Sequence, residues 1–273
     1  MAGPPALGRN PEGAVRLTES LRPTIPPRPW VAAGFERYLR HLAARQFAAV
    51  HVRRPAGGAA PGAATPTIFV ANHTNWWDGF LAYLVGRSLG TTFYVLMEAR
   101  HLARYRFFLR VGALPLDRTS APRAYADLER ARGVLAPSAG LWVFPQGARR
   151  PAAEPLATLE AGAAHLALTA DTPVRICPVG FRYGYLGEHL PEAFAWVGES
   201  WVVRPGSDNR RTLTEQIGER LSAVLEQLDA ARREERLDEF RLLVRGSISL
   251  NKRLDRIRHR LGWLDGPYEE RNG

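Results

Sequence analysis

Short apolar runs alternate along this chain with segments in which apolar residues recur every three or four positions. The apolar runs at 68–71, 92–97, 141–144, 174–185 and 194–203 predict buried strands, and 111–118 predicts a short buried segment that ends in the charged pair Asp117-Arg118 on a loop. The periodic segments at 78–90, 102–109, 121–135 and 156–170 predict helices that pack one face against a sheet. This alternation indicates an α/β fold in which a mixed sheet is flanked by helices.

Amphipathic helices are predicted at both ends of the chain. Apolar residues with helical spacing and intervening arginines predict one at 30–50. A helix at 213–228 and a basic helix at 250–264 are predicted near the C-terminus. The basic helix at 30–50 can lie on anionic lipid or pack on its own domain, and the pattern leaves both open.

The same patterns divide the chain into three parts. Proline-rich residues 1–29 predict an extended or disordered N-terminal arm. Residues 30–205 form the predicted α/β domain together with its N-terminal amphipathic helix, and residues 206–273 form a predicted C-terminal helical extension.

The charge of the chain narrows the class of partner. A formal net charge of +10 predicts an anionic partner, which is a nucleic acid, an anionic membrane surface or a phosphorylated substrate. Nucleic acid is unlikely to be that partner on sequence grounds, since the chain has no recognised nucleic-acid-binding motif. The single cysteine, Cys177, excludes an internal disulfide and a cysteine metal cluster, and it fits a reducing compartment.

The distribution of apolar residues predicts where the protein is found. No run reaches the roughly 18 apolar residues that a membrane-spanning helix needs. Residues 1–29 contain proline and glycine in place of the apolar core of a signal peptide. We therefore expect a cytoplasmic protein whose membrane contact is peripheral, on the inner face of the membrane.

A histidine and an aspartate stand together after the first of the buried runs. His73 follows the run at 68–71, and Asp78 opens the next helix. In one turn, Asp78 can accept the Nδ1 proton of His73 and leave Nε2 free to take a proton from a hydroxyl. The alternative is structural, with His73 ending a strand and Asp78 capping a helix. A serine hydrolase is not indicated, because the chain has no Gly-x-Ser-x-Gly motif.

Two arginines occupy positions equivalent to that of His73. Arg118 and Arg149 each follow a separate apolar run. In α/β sheets, ligands bind beyond the carboxyl ends of the strands, so the three side chains are expected at one site. Arginine suits bidentate contact with a phosphate group.

Four segments occur in a fixed order and together resemble the motifs of the glycerolipid acyltransferase family, in its lysophosphatidic acid acyltransferase group. The segments are Asn72-His73-(x)4-Asp78, Gly112-(x)4-Asp117-Arg118, Phe144-Pro145-Gln146-Gly147-Ala148-Arg149 and the apolar run 173–179. The resemblance covers about residues 67–181. It implies a glycerol-3-phosphate acyltransferase-like fold and an O-acyltransferase similar to 1-acylglycerol-3-phosphate acyltransferases.

The resemblance also implies a reaction. A fatty acyl chain would pass from acyl-CoA or acyl carrier protein, as co-substrate, to a hydroxyl of a lysophospholipid or related lipid at a membrane surface. No metal and no bound cofactor are implied. His73 would be the general base and Asp78 its orienting partner, while Arg118 and Arg149 would bind the acceptor and the backbone at Gly147 would approach it closely.

The third motif departs from the family pattern. The usual sequence is Phe-Pro-Glu-Gly-Thr-Arg, whereas this chain has Gln146 and Ala148. A neutral amide replaces a carboxylate at the acceptor site, which opens the alternative of a neutral alcohol, glycoside or carotenoid-type lipid acceptor. The alternative from another class is a non-catalytic basic protein that binds membranes.

Overall fold

A computed structural model describes residues 21–23, 25–55, 65–156, 158–186 and 188–246. The helices are α1 (Pro29–Gln46), α2 (Asp78–Ser88), α3 (Ala99–Arg104), α4 (Ala121–Arg132), α5 (Gly162–Thr169) and α6 (Arg210–Arg233), with 3₁₀ turns at Arg106–Val111 and Leu237–Glu239. The strands are β1 (Ala49–Arg53), β2 (Thr67–Ala71), β3 (Thr92–Glu98), β4 (Ala113–Leu116), β5 (Ala139–Val143), β6 (Val174–Gly184), β7 (Glu192–Val197), β8 (Trp201–Val203) and β9 (Arg241–Arg245).

The strands of the described chain form one nine-stranded sheet. Its order is β4-β3-β5-β2-β6-β7-β1-β9, and β8 pairs with β6 beside this path. Strands β4, β3, β5, β2 and β6 run parallel, whereas β6 meets β7 and β1 meets β9 in antiparallel pairs. The mixed sheet flanked by helices confirms the fold class predicted from the sequence.

Strand β2 lies at the centre of the sheet and is buried along its whole length. Ile68 and Val70 face the cluster that packs under α5 and α6, while Phe69 faces the opposite cluster under α1 and α2. There the ring of Phe69 stacks on Trp142 of β5 at 4.6 Å. Because helices cover both faces, β2 has no polar alternation, and its sequence is a continuous apolar run.

The first amphipathic helix is shorter than its sequence pattern predicts. Helix α1 ends at Gln46, and Phe47 takes an extended conformation with φ −124° and ψ 147°. Val50, which fits the helical spacing, instead lies in β1 and pairs with both β7 and β9. The prediction of a helix to residue 50 was wrong because an apolar residue at that spacing fits a strand equally well.

The predicted C-terminal helical extension contributes a strand as well as a helix. Helix α6 packs Leu213 and Ile217 into the core beside β2. Beyond it, β9 joins the sheet edge against β1. The further helix predicted at 250–264 lies outside the described residues, as do residues 1–20 of the predicted arm.

Candidate active site

The residues predicted to form a site follow the carboxyl ends of parallel strands. His73 comes after β2, Arg118 after β4, and Arg149 lies in the loop after β5. The loops touch one another: the Arg150 backbone N–H donates to the His73 carbonyl at 2.8 Å, and Arg118 Nη1 donates to the Gly147 carbonyl at 2.5 Å. The sheet therefore brings the loops of all three predicted residues to one edge.

Asn72 fixes the backbone just before the histidine. Its amide Nδ2 donates to the Phe181 carbonyl at 3.1 Å, and its Oδ1 accepts from the Phe181 N–H at 2.7 Å. The buried side chain of Asn72 thus forms two hydrogen bonds to the backbone of β6, as a residue of a neighbouring strand would. This ties the end of β2 to its neighbour and sets the position from which His73 projects.

His73 and Asp78 form a hydrogen-bonded pair. Nδ1 of His73 lies 2.9 Å from Oδ2 of Asp78, as the spacing predicts. The same oxygen accepts the backbone N–H groups of Thr74 at 2.6 Å and Asn75 at 2.7 Å. Asp78 is fully buried and is the first residue of α2, where the helix dipole favours a negative charge. These donors hold the carboxylate in one orientation toward the imidazole.

The pair determines what the imidazole can do. Since the carboxylate accepts at Nδ1, the proton resides on that nitrogen and Nε2 carries a lone pair. The His73 side chain is 26% exposed, and its ring lies 4.7 Å from that of Phe144 at a tilt of 34°. A partly exposed, oriented Nε2 can accept a proton from a hydroxyl group.

Tyr183 of β6 is a member of the site that sequence reasoning missed. Its hydroxyl donates to Oδ1 of Asp78 at 2.6 Å. Burial, followed by the charge of Asp78 and this hydrogen bond, raises the pKa of Tyr183 well above its ordinary value. The tyrosine thus stays protonated and remains a donor. Nothing in the sequence signals this contact, because the pairing depends on how β6 lies beside β2.

The side chain of Gln146 contacts the backbone of His73. Its Oε1 accepts the His73 N–H at 2.6 Å. A carboxylate would accept the same bond, so the amide keeps this positioning contact while removing a negative charge. The site holds Gln146 beside His73, at the position where the family pattern has glutamate.

Arg118 lies flat against Gly147 and is paired with a residue that sequence reasoning did not single out. Its Nη2 donates to Glu160 Oε1 at 2.8 Å. Gly147 has φ +67°, and a Cβ there would lie 2.7 Å from Arg118 Nη2. Glycine is therefore needed both for the turn and for the approach of the guanidinium.

Arg149 is exposed and lies two residues beyond Gly147, on the loop that Arg118 contacts. Its side chain makes no hydrogen bond or ion pair to any part of the chain that the structure describes. The two predicted arginines therefore differ in their contacts. Arg118 is paired with Glu160, whereas Arg149 can still bind an anion.

An aromatic groove of about 580 Å³ lies between α1, the start of α2 and the 3₁₀ turn at Arg106–Val111. The groove is lined by Trp30, Phe35, Tyr38, Trp76, Phe80 and Phe107, among other apolar residues. Trp76 and Phe80 flank Asp78 in the chain, so the groove and the site share this segment. Three of its side chains are strongly exposed: Trp30 at 71%, Tyr38 at 57% and Trp76 at 54%.

Comparison with known proteins gives one family match and one structural match. A family model described as "Acyltransferase" matches residues 50–182, which include His73, Asp78, Arg118 and Arg149. A search of curated proteins found no match. Among solved structures, the fold is similar to that of the 1-acyl-sn-glycerophosphate (LPA) acyltransferase PlsC from Thermotoga maritima. The TM-score is 0.54 at 18% sequence identity, over 82% of this chain and 85% of that chain.

At that identity, the structural likeness concerns the fold, and the family match supplies the class of protein. The matched range contains the whole region over which the four motifs occur. The family match agrees with the prediction from the motifs. Residues 50–182 of this chain match the acyltransferase family, and its fold is similar to that of PlsC.

Proposed function

We propose that this protein transfers a fatty acyl chain from acyl-CoA or acyl carrier protein to a hydroxyl of a lysophospholipid or related lipid. The observation that carries the proposal is the buried Asp78 carboxylate held 2.9 Å from Nδ1 of His73. A base with a fixed tautomer, in a member of an acyltransferase family, suits deprotonation of an acceptor hydroxyl.

The proposed reaction proceeds by direct attack on the thioester. His73 Nε2 removes the proton as the hydroxyl oxygen bonds to the acyl carbon. The tetrahedral intermediate then breaks its carbon–sulfur bond, and the imidazolium returns the proton to the departing thiolate. A cysteine acyl-enzyme is disfavoured, because Cys177 is fully buried and burial raises the pKa of its thiol. The reaction needs no metal and no bound cofactor.

The leading acceptor is an acidic lysophospholipid. Arg149, an exposed arginine without a partner among the residues that the structure describes, stands on the loop that contacts the backbone of His73. Phosphate offers oxygens for bidentate contact with a guanidinium. An acceptor anchored by phosphate at Arg149 would have its hydroxyl near the base.

A neutral alcohol, glycoside or carotenoid-type lipid is the second candidate acceptor. One observation favours it: Arg118 is already paired with Glu160 at 2.8 Å, so Arg118 does not need an anion from the acceptor. Gln146, in place of the family's carboxylate, is a departure that opens the choice of acceptor. Both candidates use the same base and the same acyl donor.

Turnover with purified protein tests the activity and the acceptor together. Thiol release from acyl-CoA should depend on an added lysophosphatidate or monoacylglycerol. We expect Arg149→Ala to raise the KM for lysophosphatidate by about tenfold or more, the loss of one charge-assisted contact, with a smaller change for monoacylglycerol. Arg118→Ala should be compared on the same two acceptors.

Arg150→Ala is the matched control for that comparison. It removes a neighbouring exposed charge, while the backbone bond from Arg150 to His73 stays. Equal losses on both acceptors, or turnover of neutral acceptors alone, would assign the protein to the neutral class. Thiol release that no hydroxyl acceptor stimulates would contradict acyl transfer.

A membrane surface is the proposed partner that presents the acceptor. The buried face of α1 contributes Phe35 and Leu39 to the protein core, but Trp30 and Tyr38 remain exposed along the aromatic groove. Exposed arginines such as Arg37 and Arg45 lie on the same helix. Aromatic side chains next to basic ones suit the interface of an anionic bilayer. No helix in the described ranges has both the length and the apolarity to cross a bilayer.

We expect Trp30→Ala with Tyr38→Ala to weaken sedimentation with anionic vesicles by about tenfold or more, since each aromatic side chain buries apolar area. Raising the salt concentration should weaken wild-type binding, because salt screens the attraction between basic side chains and lipid. Tyr185→Ala, at a residue that is 70% exposed and outside the groove, serves as the control. Binding that is indifferent to anionic lipid content would refute the electrostatic part of this proposal.

A further inference from the structure

We infer that Glu160 sets the acceptor preference of the site by competing with an anionic acceptor group for the guanidinium of Arg118. The inference rests on the proposed acyl transfer to a lipid hydroxyl and deepens it. It assigns to Glu160 a specificity role that acts through Arg118, without direct contact with the reacting atoms.

The pair is built into the site loop. Arg118 Nη1 binds the Gly147 carbonyl at 2.5 Å, and Nη2 binds Glu160 Oε1 at 2.8 Å. The backbone N–H of Glu160 in turn donates to the Pro145 carbonyl at 2.7 Å. Both residues of the ion pair are thus attached to the 144–150 loop, the same loop whose Gln146 holds the His73 backbone.

Glycine at 147 strengthens this arrangement. The guanidinium lies so close to Gly147 that any side chain there would displace it. Nη1 of Arg118 therefore donates to the backbone carbonyl of Gly147, and Nη2 donates to the carboxylate of Glu160. That carboxylate holds the place where an anionic acceptor group would bind Arg118.

The exposure of the pair makes the competition reversible. The side chains of Arg118 and Glu160 are 37% and 62% exposed, so the bond between them contributes little to stability. An acceptor phosphate, with more charge and more oxygens, can displace the carboxylate. A neutral acceptor leaves the pair intact. Glu160 thus disfavours phosphorylated acceptors relative to neutral ones without excluding them.

Turnover of Glu160→Gln tests this inference. The ratio of kcat/KM for lysophosphatidate to that for monoacylglycerol should rise by about two- to fivefold, the range expected when an exposed ion pair is removed. The change should lie in the KM for the phosphorylated acceptor and not in kcat. Glu215→Gln is the matched control, because it removes a carboxylate from the exposed Arg211–Glu215 pair at 2.9 Å. An unchanged ratio in Glu160→Gln, or an equal rise in Glu215→Gln, would overturn the inference.

Binding of sn-glycerol 3-phosphate, measured by calorimetry, separates this inference from the proposed function. Glu160→Gln should bind this probe about two- to fivefold more tightly than wild type. The gain should vanish when Arg118→Ala is added, because the competition acts through that side chain. A gain without any acyl transfer would refute only the proposed function. No gain, or a gain that persists with Arg118→Ala, would refute the role of Glu160.

Discussion

Replacing His73 by alanine is expected to lower turnover by about 10²–10⁴-fold, the contribution of a positioned general base. The imidazole contacts the buried Asp78 carboxylate through Nδ1, and its side chain is partly exposed, so Nε2 remains to take the proton. Without it, the acceptor hydroxyl must lose its proton to water during attack. Thiol release from acyl-CoA at saturating acceptor measures the loss directly.

The fold should survive this change. The His73 side chain is partly exposed at a strand end, and its backbone bonds to Gln146 and Arg150 do not need the ring. A thermal melt close to that of wild type would establish this point. His101→Ala, at an exposed histidine of α3, provides a control that should retain activity. Near-normal turnover in His73→Ala would eliminate the general-base role.

Asp78→Asn is expected to reduce turnover by about 10²-fold or more, because an amide cannot stabilise the imidazolium that forms in the reaction. The hydrogen bonds around Asp78 make this substitution a suitable test. The amide oxygen can take the place of Oδ2 and accept the three N–H groups that converge there, and the amide nitrogen can donate to the Tyr183 oxygen. The substitution therefore removes the charge while each hydrogen bond keeps a partner.

Tyr183→Phe separates the charge of Asp78 from its hydrogen bonds. It removes one donor to the carboxylate but leaves the anion and the histidine pair in place, so a loss of only about tenfold or less is expected. Rates for the three proteins should be measured at the same acceptor saturation. An Asp78→Asn rate within a factor of about three of wild type would assign Asp78 a capping role alone.

The sequence was most informative where both faces of a strand are buried. The apolar residues of β2, such as Phe69, form a short continuous run between polar residues, which is typical of a strand covered on both faces. The same logic located His73 and the arginines, since the ends of buried parallel strands share one edge of the sheet. The spacing of His73 and Asp78 is local, so their contact could be predicted without knowledge of the tertiary structure.

Contacts between distant segments could not be predicted in this way. Strand β1 looks like the end of a helix because Val50 fits both periodicities, and only pairing with β7 and β9 decides the outcome. The hydroxyl of Tyr183 reaches Asp78 because β6 lies beside β2. Glu160 likewise meets Arg118 only after the loops fold together. In each case, the partner is fixed by strand order and not by neighbouring residues.

The position of β1 bears on how the molecule folds. Although β1 is the first described strand, its neighbours are β7 and β9, which come from near the end of the described chain. During synthesis, β1 therefore has both edges unpaired until the residues from β2 to β7 have been translated. Such non-local pairing slows folding, since a long loop must close before any contact compensates for the lost entropy. The ends of β2 and β5 that carry the candidate site can assemble from nearer segments, so the sheet is expected to grow outward from these central strands.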